Sequence, residues 1–133
     1  RLAQRMLQNG IDVARSKVGV MGITFKENCP DIRNSKVADL VKELQLWGAN
    51  VVVDDPWANA DEVQHEYGIS LGAIDANNPV DSLVVAVGHN QYRALQPQAL
   101  KALVRQSKPV LADIKGLFDR KQAADAGFTV FRF

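Results

Sequence analysis

The chain has 133 residues, 47% hydrophobic and 23% charged, with a formal net charge of +1 at pH 7. That length suits one domain, and so small a charge excludes a basic field broad enough for nucleic acid or an acidic membrane surface. The single cysteine, Cys29, excludes an internal disulfide and fits the reducing cytoplasm, and no apolar run approaches the ~20 residues of a membrane span.

Taken in order, Arg1 to Gln8 carries a weak helical stripe, Leu2, Met6 and Leu7, closed by Asn9-Gly10. The chain does not begin with methionine, and this stripe is expected to be the tail of a helix lying upstream in a longer protein. Ile11 to Ser16 is a connector. Lys17 to Ile23 reads as a strand apolar on both faces, as strands inside parallel sheets are. A long charged loop follows as far as Asn34. Ser35, or Asn34 one residue earlier, is an N-cap candidate for a helix over Lys36–Trp47, whose apolar positions Val37, Leu40, Val41 and Leu44 follow the helical period and which Gly48 stops.

Ala49 to Asp54 is a second strand, closed by Asp55-Pro56. Asn59 to Tyr67 is a short acidic helix candidate, and Ile69 to Leu71 a short-strand candidate. Asp81 to Val87 is a third buried strand, ended by Gly88-His89-Asn90. A helical turn over Gln91–Leu95 and a helix opened by Pro97, with Leu100, Leu103 and Val104 on its apolar face, come next. Pro109 to Ala112 is a strand, Asp119 to Ala126 a helix capped by Gly127, and Phe128 to Phe133 the last strand. This alternation predicts an α/β fold: an open, mostly parallel sheet with helices on both faces.

Ligands of such sheets sit beyond the carboxyl ends of the strands. Four loops leave those ends: Thr24 to Asn34, Asp54 to Trp57, Gly88 to Asn90, and Asp113 to Gly116. The first offers Lys26 and Arg33 as anion ligands and Phe25 as a flat surface for a sugar or base. Arg33 can instead pair with Asp31, and Phe25 can instead close the top of the core. Lys115 is a third candidate cation. Cys29 has no basic partner placed by sequence, which argues against a nucleophile. His89 reads as a hydrogen-bonded structural histidine, with a general-base role as the rival, and His65 as solvated. Asp54 and Asp55 stand where a ribose-binding acid could be, but without a glycine fingerprint they read as turn and cap residues. The G-x-G-x-x-G pattern is absent, since Gly19 and Gly22 have the wrong spacing, and no metal-ligand spacing is present.

The pattern Gly22-x-x-Phe25-Lys26 followed by Asp31-x-Arg33-x-Ser35 resembles the C-terminal domain of the UDP-glucose/GDP-mannose dehydrogenases. The likeness extends through Gly48-Ala49, Asp55-Pro56, Ala86-Val87-Gly88-His89 with Tyr92, and Asp113-Ile114-Lys115-Gly116, nearly the whole chain. The wording of Lys26 to Ser35 resembles the bacterial branch that handles UDP-N-acetylhexosamines for surface polysaccharide.

The resemblance implies a Rossmann-like, nucleotide-sugar-binding domain over residues 17–133. Residues 1–16 would then end the segment that joins it to central helices. It implies an enzyme that oxidises the C6 hydroxyl of a UDP-sugar to a carboxylate with two NAD. The NAD and the catalytic cysteine would be supplied by parts outside this chain, so this piece alone is expected to be inactive. Phe25 and Lys26 match the family's substrate-contacting pair. Lys115 stands where many members place an arginine, and Arg33 and Ser35 match the motif as ligand or scaffold. The implied partners are the UDP-sugar, the rest of the enzyme and, at full length, further copies of itself. The rival reading is a stand-alone Rossmann-like nucleotide-binding or assembly module without catalysis.

Overall fold

Short β-branched runs pair into one five-stranded sheet with every register parallel. The structure, a computed structural model, describes Gln4, Leu7, Gln8 and residues 11–132. The N-terminal helical stripe and Phe133 therefore lie wholly or largely outside the described residues. The strands are β1 (Lys17–Met21), β2 (Asn50–Asp54), β3 (Ser82–Val85), β4 (Val110–Asp113) and β5 (Thr129–Phe131), in the order β2-β1-β3-β4-β5 across the sheet. Between them run α1 (Lys36–Leu46), α2 (Ala60–Tyr67), α3 (Asn90–Arg93), α4 (Pro97–Lys101) and α5 (Arg120–Asp125).

The two-residue period of the strands divides the core. Val18, Val20, Val53, Val84 and Ala112 face one layer, where Ala38, Val41 and Leu44 of α1 and Val63 of α2 close over them. Met21, Leu83, Val85 and Leu111 face the other, under Tyr92, Leu100 and Ala123. Helices therefore cover both faces, which is why the central strands read as unbroken apolar runs.

Most boundaries fall a residue or two inside those expected. β1 stops at Met21 because Gly22 turns the chain at φ +102°. The stretch near Leu71 makes only an isolated bridge, with Val53, rather than a strand. The helix at Pro97 ends at Lys101, so Leu103 and Val104 pack from a turn, and Val104 bridges Val80. Trp47 does not join the buried face of α1. It falls past the last turn, 54% exposed beside Leu46 at 88%.

At the amino end of the sheet, Asp81 ties three segments together. It accepts from the Lys17 amide at 2.6 Å, from Arg105 at 2.6 and 2.9 Å, and from Gln106 at 2.8 Å. Burial raises its carboxyl, but these donors outweigh burial and hold it at about 2. A carboxyl depressed in the folded state adds stability above its unfolded value, and that stability is lost as pH falls from ~5 toward ~2. With Arg105 half exposed, the contribution is on the order of 1–2 kcal/mol. Urea unfolding should show that loss on acidification, and Asp81→Asn should show a flatter acid limb with lower stability at pH 7. An acid limb unchanged in the variant would contradict the assignment.

Candidate functional site

The strand order reverses between β1 and β3, and a parallel sheet opens its ligand crevice at such a switch point. The structure has a cavity of about 510 Å³ there. Thr24 and Phe25 line it from the end of β1, Ala86 and Val87 from the end of β3, and Ile114 and Lys115 from the end of β4. Asn34, Ser35, Lys36, Val37 and Leu40 complete it from the start of α1.

The charge of this cavity is one-sided. Among the described residues, its lining holds Lys36 and Lys115 and no acidic residue. The first turn of a helix is its positive end, where a lysine such as Lys36 is intrinsically disfavoured unless an anion is near. Ser35 has the extended backbone of an N-cap, yet its side chain makes no capping hydrogen bond. Its Oγ is buried and without a hydrogen-bond partner among the described residues, while its own amide donates to the Tyr67 hydroxyl at 3.1 Å. A buried hydroxyl without a partner beside uncapped helix amides is a place prepared for an acceptor.

The other two loops meet the first one beside the cavity. Asp55, buried at the end of β2, accepts from the amides of Ile23 (2.7 Å), Thr24 (3.2 Å), Trp57 (2.7 Å) and Ala58 (3.0 Å). It also accepts from His89 Nε2 at 3.0 Å. Burial raises the Asp55 carboxyl, but the Ile23 amide, His89 and the Trp57 amide bring it below the usual carboxylate value. Asp54 goes the other way, raised by burial and by the charge of Asp55. Burial and these two acids push the Tyr92 hydroxyl, which donates to the Asp54 carbonyl at 2.9 Å, well above its ordinary value.

Of the residues singled out in the sequence, Phe25 and Lys115 line the cavity, with Phe25 60% exposed. Lys26 is exposed next to Phe25 and outside the lining. Arg33 is exposed, and both its Nε (3.0 Å) and Nη2 (2.9 Å) donate to Asp31, whose carboxyl this pairing holds down at about 2. Cys29 is half-buried, and His65 is exposed on α2. Among the described residues, no group of three His, Cys, Asp or Glu side chains is placed to hold a metal, and no helix is long and apolar enough to cross a membrane. Sequence reasoning missed Lys36. The signal was present in a helix that opens with a lysine where acids are favoured.

Residues 19–120 match the UDP-glucose/GDP-mannose dehydrogenase family, UDP binding domain. The chain belongs to this family. It is 39% identical over 123 residues to a UDP-N-acetyl-D-glucosamine 6-dehydrogenase of Salmonella typhi, covering 92% of this chain and 29% of that protein. It is 37% identical to the enzyme of the same name from Pseudomonas aeruginosa, over the same shares of the two chains. These values exceed the 32% shared with a UDP-glucose 6-dehydrogenase of Rhizobium meliloti, in keeping with the expected branch. Protein CapL of Staphylococcus aureus is 35% identical over 87% of the chain. The NDP-N-acetyl-D-galactosaminuronic acid dehydrogenase of Methanosarcina mazei Go1 superposes with a TM-score of 0.87 at 22% identity, covering 98% of this chain and 27% of that one. The fold is thus that of a Rossmann-like dehydrogenase domain, and the chain spans under a third of the curated relatives it matches.

Proposed function

We propose that this chain is the nucleotide-sugar-binding domain of an NAD-dependent UDP-sugar 6-dehydrogenase. Its ligand would be a UDP-N-acetylhexosamine or a close relative, on a route to surface polysaccharide. The observation that carries the proposal is the cavity at the switch point, whose wall among the described residues has two lysines, no acid, an uncapped helix N-terminus and the unpartnered Ser35 hydroxyl. A diphosphate suits each of these features. Its charge meets Lys36 and Lys115, and its oxygens accept from the first-turn amides and from Ser35. Phe25, with its ring mostly exposed at the rim, offers a face to the sugar or base. Lys26 reaches the ligand from the mouth, and Arg33, already paired with Asp31, joins in through the loop it orders. Binding energy gathered on the nucleotide then fixes the sugar C6 for chemistry done elsewhere.

On this reading the NAD and the catalytic cysteine belong to domains outside residues 17–133. The fit of NAD to this chain is poor. β1 runs into the loop of Thr24 to Asn34 rather than a tight glycine turn, and a Cβ on Gly22 would meet Val87 at 2.6 Å, so that glycine serves packing. The full-length enzyme as a homo-oligomer is part of the same proposal.

Lys115→Glu tests it. Losing a charge-assisted bond to phosphate costs about 1.5–3 kcal/mol, so calorimetry should find UDP binding weakened about 10- to 100-fold, with the unfolding midpoint little changed. Unchanged UDP affinity would remove the phosphate from this cavity.

A further inference from the structure

His89 is completely buried, lies outside the lining of the cavity, and joins the loop of Thr24 to Asn34 to Asp55 at the end of β2. Nδ1 accepts from the Asn28 amide at 2.9 Å. Nε2 lies 3.0 Å from Asp55 Oδ2 and 3.1 Å from Thr24 Oγ1. The donors and acceptors permit one neutral arrangement. An amide N–H can only donate, so Nδ1 is bare. Asp55 already receives four amides, so Nε2 carries the proton. Thr24 Oγ1 donates to the Lys26 carbonyl at 2.9 Å and is thereby free to accept from Nε2.

The pinned points bracket the two residues that matter. Thr24, the Lys26 carbonyl and the Asn28 amide are held, while the side chains of Phe25 and Lys26 remain exposed. Asn28 adopts φ +54° and exchanges two hydrogen bonds with Asn90, through its amide group at 3.2 Å and from the Asn90 amide at 2.9 Å. A core position asking only to be filled would take an aliphatic side chain with no polar groups to satisfy. A buried ring that takes the Asn28 amide on one nitrogen and reaches Thr24 and Asp55 with the other anchors the loop of Thr24 to Asn34 to the end of β2, and so is suited to fixing that loop before ligand arrives, which spares the ordering cost on binding.

We propose that His89, as its Nε2–H tautomer, is a positioning residue that presets the Phe25–Lys26 loop for the nucleotide sugar. This rests on the ligand reading of the preceding subsection. Two variants split its bonds. His89→Asn puts an amide oxygen near the place of Nδ1 and keeps an acceptor for Asn28. His89→Gln reaches toward Asp55 and keeps that donor but loses the acceptor for Asn28.

Two measurements on the wild-type chain come first. Long-range proton–nitrogen correlation spectra should show Nε2 protonated and Nδ1 bare, and the Asn28 amide should exchange slowly with solvent. In calorimetry with UDP, His89→Gln should bind at least tenfold more weakly than wild type and His89→Asn within about threefold, at similar unfolding midpoints. A protonated Nδ1, a fast Asn28 amide, or two variants that lose affinity equally would overturn the proposal. If neither variant folds, the two wild-type measurements decide it. If the wild-type chain binds no UDP, the ligand reading fails, and the loop clamp is judged on tautomer and Asn28 exchange alone.

Discussion

Asp55→Ala should be the most damaging single substitution in the chain, lowering stability by about 3–5 kcal/mol in urea unfolding at neutral pH. The carboxylate is buried and accepts from four backbone amides and His89. Its removal strands those donors in a place water does not reach. Domains of this size have only ~5–15 kcal/mol in hand, so the variant would sit near its folding limit at room temperature. Asp55→Asn should recover only part of the loss, because its amide group turns two protons toward a carboxylate's donors. A loss below ~1 kcal/mol would show that the loops beside the cavity are held by something other than Asp55.

Gly22→Ala should cost about 2–5 kcal/mol, summing a left-handed backbone penalty and overpacking. At φ +102° an added Cβ would lie 2.6 Å from Val87 Cβ, 2.8 Å from its Cγ2 and 3.0 Å from its amide nitrogen. Neither β1 nor β3 can yield without moving the floor of the cavity, so UDP affinity should fall with stability. Gly68→Ala is the matching control. Its φ is +67°, but open space surrounds it, so only the backbone term of about 1–2 kcal/mol applies. Equal midpoints for the two variants would mean that the close approach at Val87 is relieved by relaxation.

The architecture was legible because its signals are local. Lys17 to Ile23 and Asp81 to Val87 are apolar on both faces, which fits a parallel sheet covered on both sides. The helix from Lys36 shows its period, and Gly48 shows its end. The strand ends pointed to the loops that line the cavity, with Phe25 and Lys115 among their residues. What the sequence could not display was pairing across space. Asp55, His89, Thr24 and Asn28 are separated by up to 65 residues and meet only after the sheet order brings β2, β1 and β3 together. The same holds for Ser35. As a sequence it reads as an N-cap, and only the geometry shows its hydroxyl unspent. Trp47 misled because periodicity carries past the last turn of a helix that Gly48 ends one residue later.

The most direct test is a titration of the uniformly nitrogen-labelled chain, with UDP in one series and NAD in another, followed by amide resonances. The account predicts saturable shifts with UDP, largest at Ser35, Lys36, Val37 and Lys115 around the start of α1 and the end of β4, and none of that pattern with NAD. Shifts produced by NAD but not by UDP, or UDP shifts gathered away from this cavity, would contradict it.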